Sequence, residues 1–173
     1  MAAGSPRSPL APAEPARLQP IAGMRLGVAE SGVRYRGRPD VLVALFEPGT
    51  TIAGCFTTSK TRSAAVDWDR ANLANGKARA FLVNAGNANA FTGAAGMKTV
   101  ASTVAALSAL VQCPPQEVFV ASTGVIGEPL DPALINAVLA RAVETAAGDN
   151  WHDAARAIMT TDTFPKLATA GCE

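Results

Sequence analysis

The sequence predicts a layered α/β domain in which short strands alternate with amphipathic helices. β-Branched and aromatic runs at 41–46, 79–83 and 118–120 recur between segments whose apolar residues repeat every three or four positions. Two of these runs empty into small and polar residues, Asn84-Ala85-Gly86-Asn87 and Ala121-Ser122-Thr123-Gly124. Open α/β sheets usually carry their chemistry at that end of the strand. Finally, 173 residues that are 49% hydrophobic and 17% charged suit one domain with a sizeable core, and 5% aromatics leave Ala, Val and Leu to build it.

Taken in order, residues 1–21 carry Pro6, Pro9, Pro12, Pro15 and Pro20 among Ala and Ser and read as a disordered tail with no secretory h-region. A single domain is expected over 22–173. Strands are expected at 24–29 and 31–35, with a turn at Gly37 and Pro39. The continuous apolar run 41–46 reads as a strand buried on both faces, and Pro48-Gly49 as a turn. Alternation over 51–57 predicts a further strand. In the polar run that follows, Lys60 and Arg62 either hold a substrate carboxylate or lie in a solvated loop. A short helix over 68–74 is closed by Asn75-Gly76.

The strand 79–83 then runs into a stretch with Asn84, Asn87 and Asn89 interleaved with Ala and Gly. Asparagine tolerates left-handed backbone and both donates and accepts. This loop therefore either meets a ligand or hydrogen-bonds to itself and shapes the site. Thr92 is expected to cap a helix whose Val100, Val104, Leu107 and Val111 share one face. After Pro114-Pro115 comes the strand 118–120, read as central in the sheet, and the small residues behind it. Thr123 places a hydroxyl beside the bare N–H of Gly124: two donors able to meet one developing negative oxygen, or a turn of small residues for packing. Asp131-Pro132 starts a helix with Ile135, Leu139, Ala142 and Ala146 as its buried stripe and Gly148 as its close. Asn150 starts a last helix, with Ala154, Ala157 and Ile158 apolar, which runs out into Met159-Thr160-Thr161-Asp162-Thr163.

Composition removes several function classes. Fifteen Lys plus Arg against fourteen Asp plus Glu, a net +1, argues against a nucleic-acid footprint or a polybasic membrane patch. No apolar run was expected to reach the roughly 18 residues of a membrane span. Cys55, Cys113 and Cys172 are odd in number and in no metal-ligand spacing, which fits thiols of a reducing compartment and no metal site. His152 is the only histidine, so a Ser-His-Asp mechanism is not expected.

Three stretches in this order resemble the ornithine acetyltransferases of arginine biosynthesis, also called glutamate N-acetyltransferases: Asn84-Ala-Gly-Asn-Ala-Asn-Ala-Phe-Thr-Gly93, Ala121-Ser-Thr-Gly-Val-Ile-Gly127 and Ala157-Ile-Met-Thr-Thr-Asp-Thr163. The runs Gly54-Cys-Phe-Thr-Thr58 and Arg38-Pro39-Asp40 are also similar, and the likeness covers about residues 22–166. It implies the α/β fold shared with self-processing aminopeptidases, and a precursor that cuts itself at an Ala-Thr bond into α and β chains. The new terminal threonine of the β chain would be the nucleophile, with its own α-amine as base. An acetyl group would pass from N2-acetylornithine to that threonine and on to glutamate, with acetyl-CoA a donor in some members and no other cofactor.

By the same resemblance Thr123 and Gly124 match the oxyanion-hole pair, and Thr160, or Thr161 one step on, the substrate-contacting threonine. The partners implied are the β chain in an α2β2 heterotetramer, and the place is the cytoplasm. The chain departs from the pattern in ending at Glu173, before the cleavage bond, and in placing Phe91 where many relatives carry a smaller residue. The neighbours of Ala168-Thr169 do not resemble the cleavage motif, so Thr169 is not assigned as nucleophile. The runner-up readings are a related N-terminal-nucleophile aminopeptidase or amidase, and a non-catalytic anion-binding module built on the Asn/Gly loop.

Overall fold

The computed structural model describes residues 7–171. The first six residues of the expected tail, and Cys172, lie outside the described residues. Within them a four-stranded mixed sheet runs in the order β1 (Met24–Ala29), β2 (Val41–Phe46), β3 (Ala80–Asn87), β4 (Val118–Val125). The first two neighbouring pairs are antiparallel and β3 with β4 is parallel. The helices are α1 (Ala64–Asn72), α2 (Gly93–Val111), α3 (Pro132–Glu144) and α4 (Trp151–Ala157).

Strand periodicity divides the core between two faces. Val41, Val43 and Leu45 of β2 join Val100, Val104 and Leu107 of α2 and Ile135, Leu139 and Ala142 of α3, while Leu42 and Ala44 point the other way, to Ala154 and Ala157 of α4. A strand covered on both faces needs no polar position, which is why 41–46 is apolar throughout. Gly27 lets α3 lie directly on β1, because a Cβ there would sit 1.8 Å from the Ala142 carbonyl oxygen. Asp131 caps α3 as expected, accepting from the Ala133 N–H at 2.9 Å.

Several expectations are corrected. Residues 31–35 form no strand, because the first three of their N–H groups are claimed by one carboxylate. The fully buried Asp40 accepts from the Ser31 N–H at 2.6 Å, its hydroxyl at 2.9 Å, and the N–H groups of Gly32 and Val33 at 3.1 and 3.2 Å. Residues 51–57 are not a strand either: Thr51 bridges Lys77, the Ile52 N–H donates to the Gly76 carbonyl at 3.0 Å, and the alternating stretch beyond runs largely exposed outside the sheet. The helix expected at 68–74 begins earlier, where Ser63 caps α1, and ends through a 3-10 turn at the left-handed Gly76. Thr92 and Asn150 sit at helix starts without capping through their side chains, and α3 closes at Thr145 rather than Gly148. Ile158 is exposed, its place in the core taken by Met159. β4 is an edge strand that runs on to Val125, not a central one ending at Val120. α2, at 19 residues and a mean hydropathy of 1.4, is long and apolar enough to cross a membrane by length and composition. Here it is a core helix, its buried Thr99 donating to the Leu130 carbonyl at 2.8 Å.

The outer edge of β4 is held by α1. Trp68 Nε1 donates to the Val118 carbonyl at 2.9 Å, and Asp69 Oδ1 accepts from the Val120 N–H at 3.0 Å. Asp69 is only 8% exposed. Burial pushes its carboxyl up from 3.8 to about 7, partly opposed by the Val120 hydrogen bond. A raised folded-state value means that its contribution to stability is complete below about pH 4 and is lost as the pH climbs to about 7. Asp69→Asn removes this titration. In denaturant melts, wild type should lose about 2–4 kcal/mol relative to the variant between pH 4 and pH 8. Parallel pH profiles for the two proteins would show that Asp69 ionises normally.

Candidate functional site

The two α1 contacts determine what the rest of the β4 edge offers. Along a strand the backbone groups of alternate residues face the same side. Val118 and Val120 present theirs to α1, away from β3. Gly124, in the same phase, therefore directs its N–H to the outer edge, beyond the reach of α1's two side chains. Val125, in the opposite phase, accepts from the Ala88 N–H at 2.8 Å on the β3 side. Side chains alternate too: Val118 and Val120 enter the three-helix core, so Thr123 projects from the opposite face with Ala121. Thr123 is half-buried and Gly124 exposed. A side-chain hydroxyl and a backbone N–H of consecutive residues thus lie near the rim of the sheet, the one on a face and the other on the outer edge.

Only glycine fits at 124. Its φ is +133°, and a Cβ would lie 2.3 Å from the Gly86 carbonyl carbon and 2.6 Å from the Asn87 nitrogen. Gly86, its register partner, has φ +109° and is covered by Arg34 and Tyr35. The two glycines bring the strand ends together.

The three asparagines are buried and committed to the protein itself. Asn84 lies on β3, where its Nδ2 donates to the Asn87 carbonyl at 2.9 Å and its Oδ1 accepts the Ser122 hydroxyl at 2.7 Å. Asn87 Nδ2 reaches the Glu128 carbonyl at 3.0 Å, and its Oδ1 accepts from the Asn89 N–H at 2.7 Å. Asn89, with φ 46°, donates to the Gly96 carbonyl at 3.1 Å and accepts the Thr92 hydroxyl at 2.9 Å. Of the two sequence alternatives for this stretch, its side chains follow the self-bonded one, with Asn84 and Asn87 in the strand rather than in a loop. Phe91 is 69% exposed at φ 57°, a conformation bulky residues rarely adopt. Arg62 is paired with Asp67, and Lys60 is exposed.

Thr160 and Thr161 follow α4. Thr160 is half-buried, its N–H donating to Asp162 Oδ2 at 3.2 Å, and Thr161 is exposed. The Lys166 ammonium, bonded to Asp162, holds that carboxyl below its ordinary range. A chain of contacts joins this segment to β4: Gly124 against Gly86, Gly86 beside Tyr35, the Arg38 guanidinium 3.8 Å over the Tyr35 ring, and Arg38 Nη2 donating to the Met159 carbonyl. Sequence reasoning missed Tyr35 and Arg38, which join the two halves, and also Asp40 and Asp69. Asp69 was the findable one, since it lies four residues after the buried Ala65 and so shares its helix face.

The ArgJ family model matches residues 25–173. The arginine biosynthesis bifunctional protein ArgJ of Bradyrhizobium diazoefficiens is 55% identical over 163 residues, and that of Nitrobacter winogradskyi 52% over 167. Each match covers 94% of this chain but only 40% of the relative, so the chain spans well under half the length of these curated relatives. The crystal structure of ornithine acetyltransferase from Mycobacterium tuberculosis complexed with ornithine superposes with a TM-score of 0.77 at 34% identity, covering 83% of this chain and 78% of that one. ArgJ from Bacillus halodurans gives 0.73 at 31%, covering 82% and 74%. With the fold, the motif order and the relatives in agreement, this chain belongs to the ArgJ family.

Proposed function

We propose that this chain is the α-chain portion of a glutamate N-acetyltransferase that moves the acetyl group of N2-acetylornithine to glutamate in arginine biosynthesis, and that it supplies the oxyanion hole. What carries the proposal is the β4 edge, where Val118 and Val120 turn outward to α1 and strand alternation directs the Gly124 N–H the same way, beside the hydroxyl-bearing Thr123. Family membership and the likeness to an ornithine-bound acetyltransferase support it over an amidase or a binding module.

In this reading the nucleophile is a terminal threonine of a β chain, released from the same precursor by self-cleavage. Its oxygen attacks the acetyl carbonyl carbon while its α-amine takes the hydroxyl proton. The carbonyl electron pair moves onto oxygen, where the Thr123 O–H and Gly124 N–H meet the new charge. Collapse breaks the C–N bond, the departing ornithine amine takes the proton back, and the glutamate amine then attacks the acetyl-threonine ester by the same route. Preorganised donors act strongly here because their dipoles need not turn as charge develops. Thr160, or Thr161 beside it, contacts the substrate, and the hydrogen-bonded Asn84, Asn87 and Asn89 hold the strand ends in place. The step draws on no cofactor, with acetyl-CoA as an alternative acetyl donor. The assembly is an α2β2 heterotetramer in the cytoplasm.

Three outcomes are expected. In the complete two-chain enzyme, Thr123→Ala should lower kcat about 10²–10³-fold with an unchanged circular dichroism spectrum; wild-type turnover would remove the oxyanion role. Gly124→Ala should lower turnover and Tm together, because the new methyl meets the Gly86 carbonyl carbon; an unperturbed variant would mean the two strands are not in this contact. Residues 1–173 expressed alone should transfer no acetyl group, and measurable turnover would refute the division of labour.

A further inference from the structure

Beside the candidate site, the turn after Tyr35 and the end of α4 enclose a cleft of about 350 Å³ lined by Arg36, Arg38 and Arg156. The whole chain carries a net charge of only +1, so three guanidinium groups in one cleft are a local concentration. Among the described residues neither Arg36 nor Arg38 forms an ion pair; the five pairs that do form lie elsewhere, or join Arg156 to its helix neighbour Asp153 at 3.6 Å. That last pair is about half exposed on both sides, and such pairs are well screened by water. Lys166, nearby, is neutralised by Asp162.

Arg38 is fixed in place. Its guanidinium lies 3.8 Å over the Tyr35 ring and Nη2 donates to the Met159 carbonyl, yet its Nε is buried with no acceptor. That nitrogen is sealed from the cleft, so the positive charge offered to a ligand is that of the exposed Arg36 and Arg156 with the guanidinium end of Arg38 behind them, and such a concentration of charge suits an anion. A single carboxylate would leave most of this positive charge unmet. Phosphate oxygens carry more charge and match the planar fork of arginine two at a time. The Thr163 hydroxyl adds a further polar group, and Met159 and Phe164 an apolar wall for the remainder of a ligand.

We propose that this cleft binds a phosphate- or pyrophosphate-bearing small molecule. The site is separate from the asparagine stretch, whose side chains are spent on the protein, and the assignment goes beyond the acyl-transfer reading. Binding is its readout, so its failure would leave the Thr123 role untouched.

The test is calorimetric titration of the complete enzyme with inorganic pyrophosphate at low ionic strength. One saturable site per chain is expected, weakened at least tenfold in the Arg36→Gln/Arg156→Gln variant, whose two changes are at exposed side chains. Absence of saturable binding, equal affinity in the variant, or equally strong arginine-dependent binding of glutamate would overturn the assignment. As a measurement on the unaltered protein, phenylglyoxal modification of Arg36 and Arg156, read by peptide mass, should slow at least fivefold with saturating pyrophosphate. Unprotected arginines would contradict it.

Discussion

The contact on which the site depends is the approach of the Gly124 backbone to Gly86. Two parallel strands meet at a pair of glycines, each in a conformation that a side chain would strain, at a separation that leaves no room for a Cβ. This contact brings the end of β4 onto β3, with the outer edge beyond Val120 unpaired among the described residues. α1 engages that edge at Val118 and Val120, and its two side chains reach no further. That the Gly124 N–H has no partner among the described residues is therefore a consequence of where a short helix runs out of contacts.

Around that edge the buried polar groups are consumed in holding loops. Asp40 folds residues 31–33 around its carboxylate, which delivers Tyr35 to the face of Gly86. Asn84 ties β3 to β4 through Ser122, and Asn87 and Asn89 tie the end of β3 to the turn at Glu128 and to the start of α2. A buried polar group with its partners satisfied rigidifies its surroundings, whereas one without them is costly. The contrast with Thr123 is what gives that residue its interest. It stands half-exposed among hydrogen-bonded neighbours, one residue from an amide with no partner among the described residues.

Much of this was legible in the sequence. The runs 24–29 and 41–46 end where the strands end, and for 41–46 the reason is burial on both faces, which leaves a continuous apolar signature. Asp131-Pro132 marked the start of α3, since capping is local chemistry. What failed was whatever depended on a distant partner. The pattern of 31–35 is strand-like, but Asp40 takes the N–H groups of Ser31, Gly32 and Val33; 51–57 alternates, yet pairs only through Thr51 and Ile52 with Lys77 and Gly76. β4 was read as ending at Val120 because Ser122, Thr123 and Gly124 look like a turn, and only the facing glycine of β3 lets the strand continue. The asparagines were singled out by residue type alone. Type could not decide between a ligand and the chain itself, and the hydrogen bonds settle on the chain.

The most direct measurement is the crystal structure of the complete two-chain enzyme trapped as its acetyl-threonine intermediate. The account predicts the acetyl carbonyl oxygen within about 2.7–3.1 Å of both Thr123 Oγ1 and the Gly124 nitrogen. An acetyl oxygen directed elsewhere, with the Gly124 N–H bonded to a strand of the partner chain, would contradict it.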